Sequence, residues 1–232
     1  MKNLVQTIII GLAFHSGFAF AATTVERVPR ARYERPSFTA AKYEINLNYA
    51  LFKGTQWTEE QVANQAREVA EVYEQCSLRI GAVTIFKLDN PLPNDLAYRE
   101  ESTFLRLAER TPIAERPLVF LIEEMLNAEQ PTPFSKAQFL DMNGAVEPAA
   151  LLNTIWVPYF VNSEAYLKAR VASPYSVVAH ELGHILLLDG MHNGEETGNL
   201  MTIWRWRTNR VTPQQCADMV KSELVRLVVP ST

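Results

Sequence analysis

The chain has 232 residues, 47% hydrophobic and 21% charged, which suits one medium domain with a genuine core or at most two small ones. A net charge of -4 excludes a protein that neutralises a nucleic-acid backbone, so no nucleic acid is expected among its partners. The mild acidity speaks for solubility and little more.

The first residues, MKNLVQTIIIGLAFHSGFAFAA, join one cation, Lys2, to an apolar stretch. They end in Ala19-Phe20-Ala21, with small residues at the two positions a signal peptidase inspects. Residues 1–21 therefore read as a cleaved secretory signal, and the mature chain begins near Ala22. The alternative is an uncleaved anchor, but a bilayer needs about 20 apolar residues and His15 and Ser16 interrupt this run. No membrane association is expected after cleavage, and the protein should be secreted or periplasmic. Residues 22–41, ATTVERVPRARYERPSFTAA, lack an apolar period and read as an extended lead-in, not a packed element.

From residue 42 to 232 the pattern is that of one domain of mixed α and β. KYEINLNYALF alternates and predicts a strand. Thr58 with Gln61 forms a capping box for a helix that places Val62, Ala66, Val69, Val72 and Tyr73 on one face. AVTIFKL (82–88) predicts a strand ending in the loop DNPLPND, and STFLRLAER a short helix. PLVFLIEEM (117–125) has the unbroken apolarity of a buried central strand. After a long polar loop, TIWVPYFV (154–161) predicts another strand. Ser173-Pro174 opens a helix that should stop at Gly190, and Thr212 caps a terminal helix over TPQQCADMVKSELVRLV. Cys76 and Cys216 are either a disulfide, as an exported chain permits, or two buried thiols; neither has zinc-ligand spacing from the other.

Chemistry concentrates in HELGHILLLDGMHNGEETGNLM, residues 180–201, which holds three of the four histidines. Histidines at i and i+4 of a helix lie about 6 Å apart along the axis on nearly one face. His180 and His184 can thus present ring nitrogens to one zinc ion (Zn²⁺) at about 2.0–2.1 Å each. Glu181 is placed to accept a proton from water at the open position. Such a pattern also arises by accident, with both rings hydrogen-bonded at a core edge. The near-absence of other histidines and the apolar helix around the motif favour the metal.

These residues resemble the metzincin clan of zinc metallopeptidases, which carry His-Glu-x-x-His-x-x-Gly-x-x-His and a Met-turn beneath the metal. His180, Glu181 and His184 match, and Asn199-Leu200-Met201 is similar to the Met-turn. The resemblance implies an α+β zincin fold: a mixed sheet with an edge strand packed on an active-site helix, followed by a small C-terminal helical part. It also implies that TIWVPYFV is the edge strand along which substrate lies. The spacing departs from the clan, whose glycine and third histidine would fall at Leu187 and Gly190. A helix lengthened by most of a turn, with His192 swinging back as third ligand, accounts for the departure. Asp189 is a rival ligand but points away if the helix persists through Leu188; Glu195 and Glu196 are looser candidates. Trp204 and Trp206, alternating with Arg205 and Arg207, either line the pocket beyond the scissile bond or divide between core and solvent.

The function implied is a secreted zinc endopeptidase acting on a peptide or protein substrate, with Glu181 as general base. Two other readings stand beside it. One is a thermolysin-like arrangement with Glu223 as third ligand; the other is an inactive secreted module that keeps zinc for structure.

Overall fold

The computed structural model of the chain describes residues 24–35, 38, 41–89, 97–98, 101–125, 136–138, 148–162, 176–188, 198–202 and 208–228. The signal-peptide reading of residues 1–21 falls outside them. Among the described residues no helix is long and apolar enough to cross a membrane.

A seven-stranded mixed sheet organises the fold. Its centre is β2 (Tyr43–Phe52), parallel both to β3 (Leu78–Leu88) and to β5 (Leu118–Ile122). Outside β3 lies β1 (Thr24–Arg27), antiparallel. The pair β4 (Ala97–Tyr98) and β6 (Glu124–Met125) forms a separate two-stranded ribbon. Beyond β5 come β8 (Thr154–Pro158), parallel, and then β7 (Lys136–Gln138), antiparallel at the edge. A last strand, β9 (Arg226–Leu227), pairs with the start of β2.

Parallel neighbours need a crossover, and helix α1 (Glu59–Tyr73) supplies it between β2 and β3. Its capping box forms as the sequence predicts: Gln61 N–H donates to Thr58 Oγ1 at 3.2 Å and Thr58 N–H to Gln61 Oε1 at 2.8 Å. The predicted apolar face of α1 is buried throughout. Helix α2 (Glu101–Arg110) covers the opposite side of the sheet. Alternate residues of one strand therefore enter two cores: Val119 and Leu121 of β5 face α1, while Phe120 stacks on Trp156 with ring centroids 4.0 Å apart.

Three expectations need correction. The segment 22–41 is not a mere lead-in, because β1 pairs with β3 and Val28 and Tyr33 are buried in the core. TIWVPYFV is not the edge strand: its β8 is hydrogen-bonded on both sides, and β7, from within the predicted loop, takes the edge. The terminal helix α4 stops after seven residues (Pro213–Met219), because the chain beyond it turns to give its backbone to β2 and Lys42. Cys76, in the short 3-10 turn Glu74–Cys76 that follows α1, and Cys216, on α4, form a disulfide that spans 140 residues of sequence.

Candidate metal centre

Helix α3 (Val177–Leu187) carries the motif and packs against α1, α4, β7 and β8. Residues Val177 to Leu186 are buried, as the apolar sequence around the motif requires. The N-cap is Ser176, whose hydroxyl accepts from Ala179 N–H at 3.3 Å; Ser173 and Pro174 lie outside the described residues. Ser176 N–H is itself held by Asn209 Oδ1 at 2.7 Å. Tyr73 of α1 donates its hydroxyl to the Ala179 carbonyl at 2.8 Å, and burial raises its pKa far above the ordinary value, so it stays a donor. These contacts fix α3 along its first turn, one residue before His180.

The helix ends earlier than predicted. Leu188, not Gly190, terminates it, adopting a left-handed conformation at φ +52° while its N–H bonds back to the His184 carbonyl. That position normally takes glycine, because a side chain there costs roughly 1–2 kcal/mol. The helix is therefore not extended by most of a turn, and the premise that set Asp189 aside does not hold. Asp189, Gly190, His192, Glu195 and Glu196 themselves lie outside the described residues, as do Trp204, Arg205, Trp206 and Arg207.

His180 and His184 come together as the spacing predicts. Their Nε2 atoms lie 3.1 Å apart and their rings are nearly perpendicular, at 85°. Two ligands of a tetrahedral zinc at 2.0–2.1 Å would be separated by about 3.3–3.4 Å, so the pair is close to the spacing that the ion demands. The other ring nitrogen of His180, Nδ1, lies 2.6 Å from the Leu200 carbonyl oxygen. A carbonyl accepts only, so Nδ1 carries the proton and Nε2 offers its lone pair. Glu181 is almost fully buried at 5% exposure, on the helical turn between the two rings.

Met201 is buried against the underside of α3. A Cβ added at Gly183 would lie 2.5 Å from Met201 Sδ, so the sulfur occupies the space that any larger residue would fill. Gly183 escaped the sequence reading, although a glycine inside a helix is a signal in itself. The turn that carries Met201 is held by side chains equally unannounced. Asn199 Oδ1 accepts from Met201 N–H at 2.8 Å, and Asn199 is paired with Gln215 of α4. Gln75, beside Cys76, donates to the Asn209 carbonyl at 2.6 Å and accepts from Val211 N–H at 3.3 Å.

Among the described residues, no third His, Cys, Asp or Glu joins His180 and His184. Glu223, the third ligand of the thermolysin-like alternative, is exposed, and among the described residues it forms no such group with them.

No family model and no curated protein sequence matches the chain. Among solved structures, metalloproteinase-II from Bacteroides fragilis is similar over 80% of this chain, with a TM-score of 0.51 and 14% sequence identity. This chain spans 55% of that protein's length. At this identity the likeness is one of fold alone.

Proposed function

We propose that the chain is an exported zinc-dependent endopeptidase of the metzincin type, hydrolysing peptide bonds in peptide or protein substrates. The observation that carries this reading is the pair of imidazole Nε2 atoms 3.1 Å apart on a buried helix, one of them held in the metal-binding tautomer by Leu200. Without an ion the two rings are within hydrogen-bond reach of one another, and a shared ion would take the place of that contact. A bound zinc supplies Lewis acidity, bringing the pKa of water to about 7 and polarising the substrate carbonyl.

The residues of the chain supply the rest. Glu181 accepts the proton of the attacking water and returns it to the leaving amine, a service worth about 10²–10⁴ in rate. The surrounding apolar helix keeps bulk water from the carboxylate. We assign the substrate-aligning role to β7, the outermost described strand on this side of the sheet, which packs against α3. The third ligand is assigned to His192, with Asp189 as its rival on the same trailing segment. The disulfide agrees with an oxidising, exported setting.

The test is metal analysis of the protein and its variants together with cleavage of a broad peptide library. Glu181→Gln should keep one zinc and lose at least 100-fold in activity. His192→Ala should lose the metal and Asp189→Ala should keep it. Full activity in Glu181→Gln overturns the general-base role. Stoichiometric zinc without any cleavage assigns the chain to the inactive binding modules instead.

A further inference from the structure

We infer that Gln215 of α4 is a positioning residue for His180, acting through Asn199 and the Leu200 carbonyl. Its zinc readout rests on the metallopeptidase reading above; its hydrogen-bond readout does not.

Gln215 and Asn199 face each other as a buried amide pair. Asn199 Nδ2 donates to Gln215 Oε1 at 2.8 Å, and Gln215 Nε2 donates to Asn199 Oδ1 at 3.1 Å. Neither amide is free to turn over. Gln215 Oε1 also accepts from the Thr212 backbone N–H at 2.9 Å, and Asn199 Oδ1 from the Met201 backbone N–H at 2.8 Å. Each oxygen is thus identified by a backbone donor that only an acceptor could meet. The outcome is a fixed turn over residues 199–201 with the Leu200 carbonyl 2.6 Å from His180 Nδ1.

A glutamine at this position is more than a helix cap. The capping box over Thr212 and Gln215 asks for an acceptor at residue 215, and glutamate would serve as well. Only Asn199 gives the amide N–H of Gln215 a purpose. Through that N–H, one side chain on α4 determines which nitrogen of a histidine on α3 carries the proton. The direct partner of a metal-ligating histidine changes metal affinity by about 10–100-fold when removed, and Gln215 acts by holding that partner, the Leu200 carbonyl, in place.

Gln215→Glu separates the two roles. It keeps the acceptor for Thr212 and Asn199 but sets a carboxylate oxygen against Asn199 Oδ1. Four quantities are measured on the full chain: His180 ring ¹⁵N shifts without metal, zinc affinity by competition with a chromophoric chelator, the electronic spectrum with Co²⁺ in place of zinc, and thermal melting. The wild type should show Nδ1 protonated. The variant should mix tautomers, bind zinc about 10–100-fold more weakly and shift the cobalt spectrum. Thr212→Ala loosens the cap of α4 and leaves the amide pair, so it should lower the melting temperature without moving the tautomer or the zinc affinity. Gln215→Met, which removes both amide bonds without burying a charge, should repeat the losses should the glutamate variant fail to fold.

Wild-type tautomer and zinc affinity in a folded Gln215 variant overturn the inference, as does Thr212→Ala weakening zinc equally. If the wild type binds no zinc yet Gln215→Glu shifts the His180 tautomer, the positioning role stands and the metallopeptidase reading falls.

Discussion

The sheet with α1 and the segment from Gly198 to Met219 hold His180 from opposite sides by different means. The sheet side works by area: β2, β5 and β8 send alternate apolar residues into two cores, and α1 and α3 share one of them. Among its described residues the trailing segment buries little that is apolar beyond Leu200, Met201 and Met219, and those residues depend on directed bonds: Asn199 to Gln215, Asn209 to Ser176, Gln75 to two backbone groups, and a disulfide. Burial is tolerant of small displacements, whereas a hydrogen bond weakens steeply with angle. The division places stability on the first side and the precision of the His180 ring on the second.

The largest effect expected is on the sheet side. Trp156 is fully buried and stacks between Phe104 and Phe120, at 4.1 and 4.0 Å between ring centroids, on the face of the sheet away from α3. Trp156→Ala should cost about 3–5 kcal/mol in urea unfolding. Because this core touches neither histidine, zinc affinity of the folded fraction should stay at the wild-type value. A parallel loss of zinc would erase the contrast between the two sides.

The contact of the two sides at Gly183 gives the next effect. A Cβ there meets Met201 Sδ at 2.5 Å, so Gly183→Ala should cost about 1–3 kcal/mol by overpacking. Shortening the opposing side chain should recover part of that. The double variant Gly183→Ala/Met201→Ala should be more stable than the sum of the single losses predicts, by about 1 kcal/mol. Strict additivity in thermal or urea melts would show that the two residues do not share this space.

The two sides were also unequally readable from the sequence. Strands β2, β5 and β8, α1 with its capping box, and the facing histidines all follow from local period or spacing. The features that were missed draw their structure from distant partners. Strand β7 has three residues and exists because β8 offers it hydrogen bonds. Strand β1 sits in a segment without apolar period, yet Val25 and Glu26 find Phe86 and Ile85. Leu188 takes the left-handed turn although two glycines stand nearby in sequence, at positions 183 and 190; local propensity pointed to the second. The helix predicted beyond Met219 yields to pairing with β2. The Asn199–Gln215 pair spans sixteen residues and leaves no periodic trace; only the identity of the capping residue, glutamine in place of glutamate, hinted at it.

The smallest effect concerns the far edge of the sheet, where β1 is tied down by charge. Lys87 of β3 bonds Glu26 of β1 at 2.6 Å and also Glu59 at the start of α1. The Lys87 ammonium holds the Glu59 carboxyl below its ordinary value of 4.5, chiefly by hydrogen bonding, and the two carboxylates raise the lysine. For a lowered carboxylate, the stabilisation is complete above the unfolded-state value and is lost as pH falls through the folded one. For the raised lysine, it is complete below the ordinary value of 10.5 and is lost as pH climbs through the folded value. The triad should therefore act across the neutral range and fade in acid below about pH 4.5. All three side chains are more than a third exposed, so screening holds the contribution to at most about 1 kcal/mol. Urea midpoints of the wild type and Lys87→Met should differ slightly at pH 7 and converge near pH 3. A difference that persists at pH 3 would mean that Lys87 stabilises the edge by packing its aliphatic stem, which would bring even this corner of the sheet under the rule of burial.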